Sequence, residues 1–202
     1  MENRLSNPLT SEIANSAVSQ GLRTGAVILG GTAFVAVSSH IALPLGFTPV
    51  PLTLQPFAVL LLGLLLSPRL AAATLGAYLV EGALGLPVFA PGLVFGAGMA
   101  HLLGPTGGYL MSYPAAAMLI AILWRRSNRG FSAALASAAV GNALILLSGF
   151  AWLMLWTHGA GSLTSVKAAF VMTVLPFLPG DALKVVAAAA IAKGFERVRR
   201  HS

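Results

Sequence analysis

The sequence predicts an all-α polytopic membrane protein, and two observations carry that prediction. First, 57% of the 202 residues are hydrophobic and only 8% are charged, whereas an ordinary soluble domain carries roughly 25% charged residues. Second, several apolar stretches approach the ~20 residues that a helix needs to cross a bilayer. The alternating segments of about ten residues that would indicate a transmembrane barrel are absent from the sequence. We therefore expect a single helical membrane domain.

The charge pattern supports the same class of protein. The net charge is +7, but the basic residues cluster in short segments between apolar ones, which is the positive-inside pattern of a cytoplasmic membrane protein. We therefore expect lipid, and no nucleic acid, as the surroundings of this chain. Cysteine is absent, which excludes disulfides, thiolate nucleophiles and cysteine metal sites.

Six transmembrane helices are predicted from the apolar stretches. The stretch at 166–192 is too long for one span and contains Pro176 and Pro179, so it is divided into a loop helix at 165–175 and a last span. A Gly- and Pro-rich section at 85–108 separates the third span from the fourth. The predicted spans are 24–43, 52–66, 70–84, 109–124, 131–156 and 179–195.

The number of spans decides the orientation. Residues 86–103 are apolar enough for a seventh span, but an extra crossing would place the basic segments on opposite sides. With six spans only Lys167 is a basic residue on the outer side, and both termini are cytoplasmic. Section 85–108 is then an outer loop that dips into the protein, where protein or water satisfies its backbone. The basic residues that share the inner side are Arg4, Arg23, Arg69, Arg125, Arg126, Arg129, Lys193, Arg197, Arg199 and Arg200.

Three segments follow from this division. Residues 1–23 are polar and have no apolar core after a basic start, so they are predicted to be a cytoplasmic tail rather than a signal peptide. Residues 24–196 form the six-helix membrane domain, and residues 197–202 form a basic cytoplasmic tail.

The strongest local signal is the sequence Pro-Gly-Asp-Ala-Leu-Lys at 179–184. Asp181 and Lys184 are three residues apart, so a helix that starts at Pro179 places them on one face. One interpretation is structural, with Asp181 near the helix start and Lys184 reaching outward. The other is functional, because ionisable groups inside a span usually face a cavity and hold a polar ligand.

Two loops carry further candidate residues. In Pro-Val-Pro-Leu-Thr-Leu-Gln at 49–55, the prolines stiffen a loop that presents Thr53 and Gln55, either as a lid or as a rigid turn. In Gly-Pro-Thr-Gly-Gly-Tyr at 104–109, Gly107 and Gly108 permit close backbone approach before Tyr109. That approach serves either a ligand or close helix packing.

Other polar residues give weaker signals. Glu81 either pairs with a basic group or reaches the outer surface, and a structural role is favoured over a ligand contact. His40, His101 and His158 lack the i, i+4 spacing of metal ligands, so surface or loop histidines are expected and no metal site. No motif of a nucleophile, zinc enzyme or nucleotide site occurs, so we predict no catalytic residues and no enzyme activity.

The four stretches Pro-Val-Pro-Leu-Thr-Leu-Gln (49–55), Gly-Leu-Pro-Val-Phe-Ala (85–90), Gly-Pro-Thr-Gly-Gly-Tyr (104–109) and Pro-Gly-Asp-Ala-Leu-Lys (179–184) resemble the BioY family in order and spacing. This family comprises the biotin-binding S components of energy-coupling factor transporters. The resemblance covers nearly the whole chain after residue 24. It implies six helices, cytoplasmic termini, and a vitamin site near the outer face beneath the first, third and fifth loops.

The resemblance also implies the roles of the candidate residues. Asp181 accepts from the ureido N–H groups of biotin, while Lys184 donates to the ureido carbonyl or orients Asp181. Thr53 and Gln55 belong to the lid, and Gly107, Gly108 and Tyr109 line the wall near the third loop. Glu81 is a further candidate site residue that the resemblance does not assign. An Asn and an Arg that family pockets also use are not found in residues 85–120, so His101, Tyr113 or backbone amides are expected in their place.

The sequence therefore suggests a high-affinity biotin-binding subunit in the cell membrane. By the resemblance, its partners are a transmembrane T component and two ATP-binding cassette ATPases, because the chain has no ATPase motif of its own. Biotin is the transported ligand and no cofactor is expected. The alternatives are an S component for a different vitamin, an intramembrane enzyme that uses Asp181 and Lys184 as acid and base, and a scaffold subunit.

Overall fold

The computed structural model describes residues 8–91, 97–159 and 165–199, with side chains from residue 18 onward. These residues form eight helices and one short two-stranded sheet. In chain order the elements are α1 (Pro8–His40), β1 (Ala42–Leu43), β2 (Leu52–Thr53), α2 (Gln55–Leu65), α3 (Pro68–Ala83), α4 (Met99–Leu102), α5 (Gly107–Arg126), α6 (Phe131–Gly159), α7 (Val166–Thr173) and α8 (Leu178–Arg199).

Three of the described helices are long and apolar enough to cross a membrane, namely α5, α6 and the Val18–His40 part of α1. A fourth span is present if α7 and α8, which meet at an angle of 45°, are counted as one broken span. Helix α2 is shorter, with 11 residues, which at about 1.5 Å per residue is well under the ~30 Å hydrocarbon thickness. The fold is thus an all-helical membrane bundle, as predicted.

The break between α7 and α8 confirms the division of the long apolar stretch. Helix α7 ends at Thr173 and α8 begins at Leu178, with Pro176 in the intervening turn. Proline lacks the N–H that would continue the helical hydrogen bonds, and its ring clashes with the preceding turn. This break sets the position of the first turn of α8, which carries Asp181.

Helix α1 begins well before the predicted first span. It runs without interruption from Pro8 to His40, so it crosses the boundary at residue 23 that the polarity of the sequence indicated. The division into tail and membrane domain remains a prediction, but helical structure does not change at that boundary.

Helix α2 lies at the centre of the bundle. It packs against α1, α5, α6 and α8, and eight of its eleven residues are buried, namely Gln55 and the seven residues 58–64. A helix that is apolar all round must be covered on all sides. Around it, α5 packs on α6 and α3, while α8 packs on α6.

Two apolar cores stabilise the bundle. One, which includes Val59, Tyr78 and Tyr113, lies beneath the loops. The other, which includes Leu60, Trp124 and Ala188, joins α2, α5 and α8 farther along the helices. Ala188 and Ala189 are fully buried on α8, and these small side chains allow α8 to approach α2 closely.

The loop at 44–51 is closed by a short antiparallel ladder, which the sequence analysis did not predict. Ala42 pairs with Thr53 and Leu43 with Leu52, and the backbone N–H of Leu54 donates to the carbonyl of Ile41 at 3.0 Å. The proline-rich loop is therefore a hairpin with fixed ends. Leu52 lies against Gly180 in the first turn of α8, so the hairpin covers the start of that helix.

Candidate substrate-binding site

Asp181 and Lys184 form a buried ion pair on one face of α8. The Lys184 Nζ lies 2.9 Å from the Asp181 Oδ1, and the two side chains are only 10% and 5% exposed, respectively. The helix begins at Leu178, so the i, i+3 spacing predicted from the sequence holds. Because the charges cancel, the pair avoids the cost of a single buried ion.

A third polar group completes this cluster. Asn142, on α6, donates from Nδ2 to the Asp181 Oδ2 at 3.1 Å. This residue was not among the candidates predicted from the sequence. The available signal was one amide side chain in the middle of a 29-residue apolar helix, where a polar group normally needs a partner on another helix.

Thr53, in β2 of the hairpin, and Gln55, the first residue of α2, both line the cavity that Asp181 and Lys184 border. Gln55 is 3% exposed, and its Nε2 donates to the hydroxyl of Tyr78 at 2.8 Å. That hydroxyl in turn donates to the carbonyl of Val88 at 2.7 Å. The Ser39 hydroxyl donates to the same carbonyl at 2.7 Å. This chain of hydrogen bonds fixes Gln55 and attaches the 85–91 segment to α1 and α3.

Of the three residues predicted around the start of α5, Tyr109 lies in the wall of this cavity, and so does Thr106, which was not predicted. Gly107 and Gly108 do not line the cavity. A Cβ at Gly107 would meet the Leu102 carbonyl, and one at Gly108 would meet the Trp152 side chain. Helix packing, the structural alternative, therefore explains both glycines.

The neighbouring residues Thr106 and Tyr109 do line the cavity. The Tyr109 hydroxyl donates to the carbonyl of Thr173 at 2.7 Å, so this side chain joins α5 to α7. The Thr106 Oγ1 is buried and has no hydrogen-bond partner among the described residues. It is therefore free to donate or accept a hydrogen bond within the cavity.

His101 is a buried cavity residue rather than a surface histidine, and it lies in the section between α3 and α5 that was predicted to be a loop. It lies on the short helix α4, is 8% exposed, and its ring is tilted by 31° against that of Phe89 at 5.1 Å between centroids. Burial lowers the pKa of the imidazole, which favours the neutral ring with one donor and one acceptor.

Glu81 is not brought to the cavity. It is half-buried near the end of α3 and is absent from the cavity wall. The described residues contain two ion pairs, and neither includes Glu81. Within the same residues no group of three His, Asp or Glu side chains is arranged to hold a metal ion.

The cavity formed by these elements is mostly apolar with a few convergent polar groups. It contains about 700 Å³ of space between protein atoms, including the part that opens to solvent. Such a site suits a ligand with an apolar body and a compact polar end. The polar wall consists of Thr53, Gln55, His101, Thr106, Tyr109, Tyr113, Asp181 and Lys184, and the apolar wall of Pro49, Val50, Pro51, Pro56, Ala90, Pro91, Leu110, Ile145, Leu146 and Phe177.

The helical fold and this cavity together indicate a multi-pass membrane protein with a site for a small ligand. A crystal structure of the S component for biotin from an ECF-type ABC transporter has a TM-score of 0.78 with this chain. The match is 25% identical in sequence and covers 89% of this chain and 93% of that structure. The likeness therefore extends over nearly the whole molecule.

Sequence comparisons identify the family. The BioY family profile matches residues 8–201. The probable biotin transporter BioY of Pyrococcus horikoshii is 38% identical over 161 residues, covering 80% of this chain and 88% of the relative. The biotin transporter BioY of Thermotoga maritima is 36% identical over 161 residues, which again cover 80% of this chain and 88% of the relative. The chain belongs to the BioY family.

Proposed function

We propose that this chain is the substrate-binding subunit of a biotin uptake system. As a BioY family member it is a multi-pass membrane transporter subunit and not an enzyme. The observation that carries the proposal is the buried Asp181–Lys184 pair in the wall of an otherwise mostly apolar cavity. Biotin has a neutral ureido group, an apolar thioether ring and an anionic tail, so its polar head and apolar body match those two kinds of wall.

In this proposal Asp181 and Lys184 hold the ureido group. The carboxylate has about four acceptor positions and the ammonium has three donors. Their mutual bond uses one of each, so both retain capacity for a ligand. Asp181 accepts from the ureido N–H groups, while Lys184 donates to the ureido carbonyl. Loss of one buried hydrogen bond costs about 1–3 kcal/mol, which is enough to reject analogues.

The hairpin serves as a lid over the bound ligand. Pro49 and Pro51 restrict its backbone, and its ends are fixed by the β1–β2 ladder. Gln55 and Thr53 present polar groups to the cavity from beneath this lid. Tyr109 and Thr106 provide the opposite polar wall.

Isothermal titration of the purified chain with biotin tests the binding function. We expect saturable binding with one site, and weaker binding of an analogue methylated at a ureido nitrogen, which cannot donate to Asp181. Absence of biotin binding at micromolar concentration would contradict the proposal. Preferential binding of a different vitamin would instead support the alternative S-component specificity.

We further propose six spans with both termini in the cytoplasm, so that the cavity opens at the outer face. The absence of native cysteine permits single-cysteine labelling of whole cells with a membrane-impermeant maleimide. Thr48→Cys in the hairpin is expected to react from outside. Ser127→Cys, between α5 and α6, is expected to react only after lysis. The opposite pattern would reverse the orientation.

Transport requires an energy source, and we propose a transmembrane T component and two ATP-binding cassette ATPases as partners. The solved S component that this chain resembles comes from an ECF-type ABC transporter, and the sequence here contains no nucleotide-binding motif of its own. Affinity purification of the tagged chain from its native membrane is expected to recover these subunits. Recovery of the chain alone, together with biotin uptake by it, would contradict the requirement.

A further inference from the structure

Asn142 occupies an unusual place for an amide side chain. It lies on α6 between apolar residues, is 7% exposed, and does not itself line the cavity. Its Nδ2 contacts Asp181 across the α6–α8 interface at 3.1 Å. Asn142 is thus behind the cavity wall and in direct contact with the residue that presents a charge to the cavity.

The two oxygens of Asp181 are held from two directions. Lys184, on the same helix, donates to Oδ1 at 2.9 Å, and Asn142, on α6, donates to Oδ2. The carboxylate cannot rotate without losing one of these bonds. The reverse orientation of the Asn142 amide would place its carbonyl oxygen against the carboxylate, so the N–H orientation follows from the chemistry of the partner.

The other end of the amide has no compensating contact. The Asn142 Oδ1 is buried and has no hydrogen-bond partner in the described part of the chain. An unpaired buried acceptor is unfavourable, and an apolar side chain of similar volume would avoid it. The amide therefore leaves a buried acceptor unpaired on one side while it supplies a donor on the other.

We propose that Asn142 is a positioning residue for the biotin site, which fixes the Asp181 carboxylate so that its remaining acceptor positions face the cavity. The inference rests on the proposed function. It extends the ligand-binding cluster to a residue on α6 that contacts no ligand itself. Lys184 and Asn142 together determine the direction in which Asp181 accepts hydrogen bonds.

Few other charged or titratable groups surround this cluster. Helix α8 contributes Lys184, α5 contributes Tyr109 and Tyr113, and α4 contributes His101 to the same cavity. Helix α2 contributes Gln55, which does not titrate. Among the described cavity-lining residues Asp181 is the single carboxylate. A second carboxyl group placed beside Asp181 would therefore change the pH dependence of the site in a recognisable way.

Asn142→Asp is the decisive variant. It keeps the size of the side chain, but the new side chain can donate a hydrogen bond to Asp181 only when its carboxyl group is protonated. We expect biotin affinity to fall at least about tenfold at pH 8, a loss of about 1.4 kcal/mol. The negative charge of the neighbouring Asp181 carboxylate favours the protonated form of the new carboxyl group, so affinity is expected to recover toward that of the unmodified protein as the pH is lowered to about 5.

Two control variants separate positioning from general damage. Asn142→Leu removes the donor without adding a titratable group, so its affinity is expected to be at least about tenfold weaker with no recovery at low pH. Asn128→Asp makes the same chemical change in the exposed turn between α5 and α6, and is expected to bind like the unmodified protein. Size-exclusion chromatography of each purified variant checks that it is folded.

The outcomes are distinguishable. If the unmodified protein does not bind biotin, the proposed function fails. If it binds and Asn142→Asp binds equally well throughout the pH range, only the role of Asn142 is overturned. A pH-independent loss in Asn142→Asp indicates structural damage and also overturns that role. If Asn142→Asp cannot be recovered folded, undiminished affinity of Asn142→Leu would overturn it.

Discussion

Helix α8 carries an ion pair near each end, and the two pairs differ in burial. Asp181–Lys184 lies within the first two turns, with side chains 5% and 10% exposed. Arg129–Glu196 joins the last turns to the α5–α6 connection at 3.2 Å, with side chains 33% and 15% exposed. The first pair contacts Asn142 and a cavity, whereas the second lies beside Lys193, whose Nζ donates to the Arg129 carbonyl at 3.0 Å.

The two ion pairs of α8 have similar chemistry but serve different purposes. A partly exposed pair is screened by water more than a buried one and contributes less to stability, so Arg129–Glu196 mainly connects a turn to a helix. A buried pair loses hydration that its mutual attraction only partly restores. The burial of Asp181 and Lys184 therefore agrees with the proposed role in ligand binding better than with a role in stability.

Removal of the buried cation should have the largest effect on stability. Lys184→Met leaves Asp181 without its counter-charge, and breaking a buried pair in this way costs about 3–5 kcal/mol. Thermal unfolding in detergent measures the change. The matched variant Arg129→Met, at the partly exposed pair, is expected to lower the unfolding temperature far less. Equal shifts for the two variants would remove the distinction between the pairs.

Removal of the buried anionic charge should have the largest effect on ligand affinity. Asp181→Asn replaces a charged acceptor, and hydrogen bonds to charged groups contribute about 1.5–3 kcal/mol, or roughly 10- to 150-fold in Kd. Titration with biotin measures this loss. Two variants serve as controls. Glu196→Gln makes the same chemical change at the partly exposed pair, and Arg197→Ala removes a charge near that pair. Both should leave affinity unchanged, and a loss as large as that of Asp181→Asn would contradict the site assignment.

Gly108→Ala should distinguish the residues that line the cavity from those that support it. The added methyl group meets the Trp152 side chain and the Ser148 carbonyl, and such overpacking costs about 1–3 kcal/mol of stability. Affinity in the folded fraction should change less than in Asp181→Asn. Gly76→Ala is the control, because a Cβ there meets nothing within 4 Å and alanine favours the helix. If Gly76→Ala destabilises as much, packing at Gly108 is not the cause.

Loss of the partly exposed pair Arg129–Glu196 should have the smallest effect on the free energy of unfolding. Glu196→Gln is expected to lower stability by about 0.2–1 kcal/mol, and added salt should reduce the difference from the unmodified protein because it screens exposed charges. Unfolding curves at low and high ionic strength measure this. A large and salt-independent loss would show that Arg129–Glu196 behaves as a buried pair.

Local features of the sequence predicted the helical architecture well. The apolar stretches at 109–124 and 131–156 correspond to α5 and α6, because helices in lipid must satisfy their backbone internally and be apolar on the outside. Pro176 predicted the break before α8, since proline acts on its own turn. The i, i+3 spacing predicted that Asp181 and Lys184 share a face, which depends only on helix geometry.

The arrangement of the site could not be predicted in the same way. Asn142 is 39 residues from Asp181 along the chain, and only the packing of α6 on α8 brings the two together. The burial of His101 depends on the Phe89 ring against which it lies. The glycine pair at Gly107 and Gly108 would look the same in the sequence whether a ligand or the protein itself approached it. The Leu102 carbonyl beside Gly107 and the Trp152 side chain beside Gly108 show that the protein itself does so.

The sequence by itself thus determined most of the long helices, the break before α8 and which charges share a face, because each of these follows from a few neighbouring residues. Only the tertiary structure decided which side chains from separate helices meet. Such contacts depend on how α5, α6 and α8 pack around α2, and this packing is a property of the whole bundle. The Asp181–Lys184 pair illustrates both kinds of information. Its i, i+3 spacing can be read from the sequence, whereas its contact with Asn142 depends on the packing of α6 against α8.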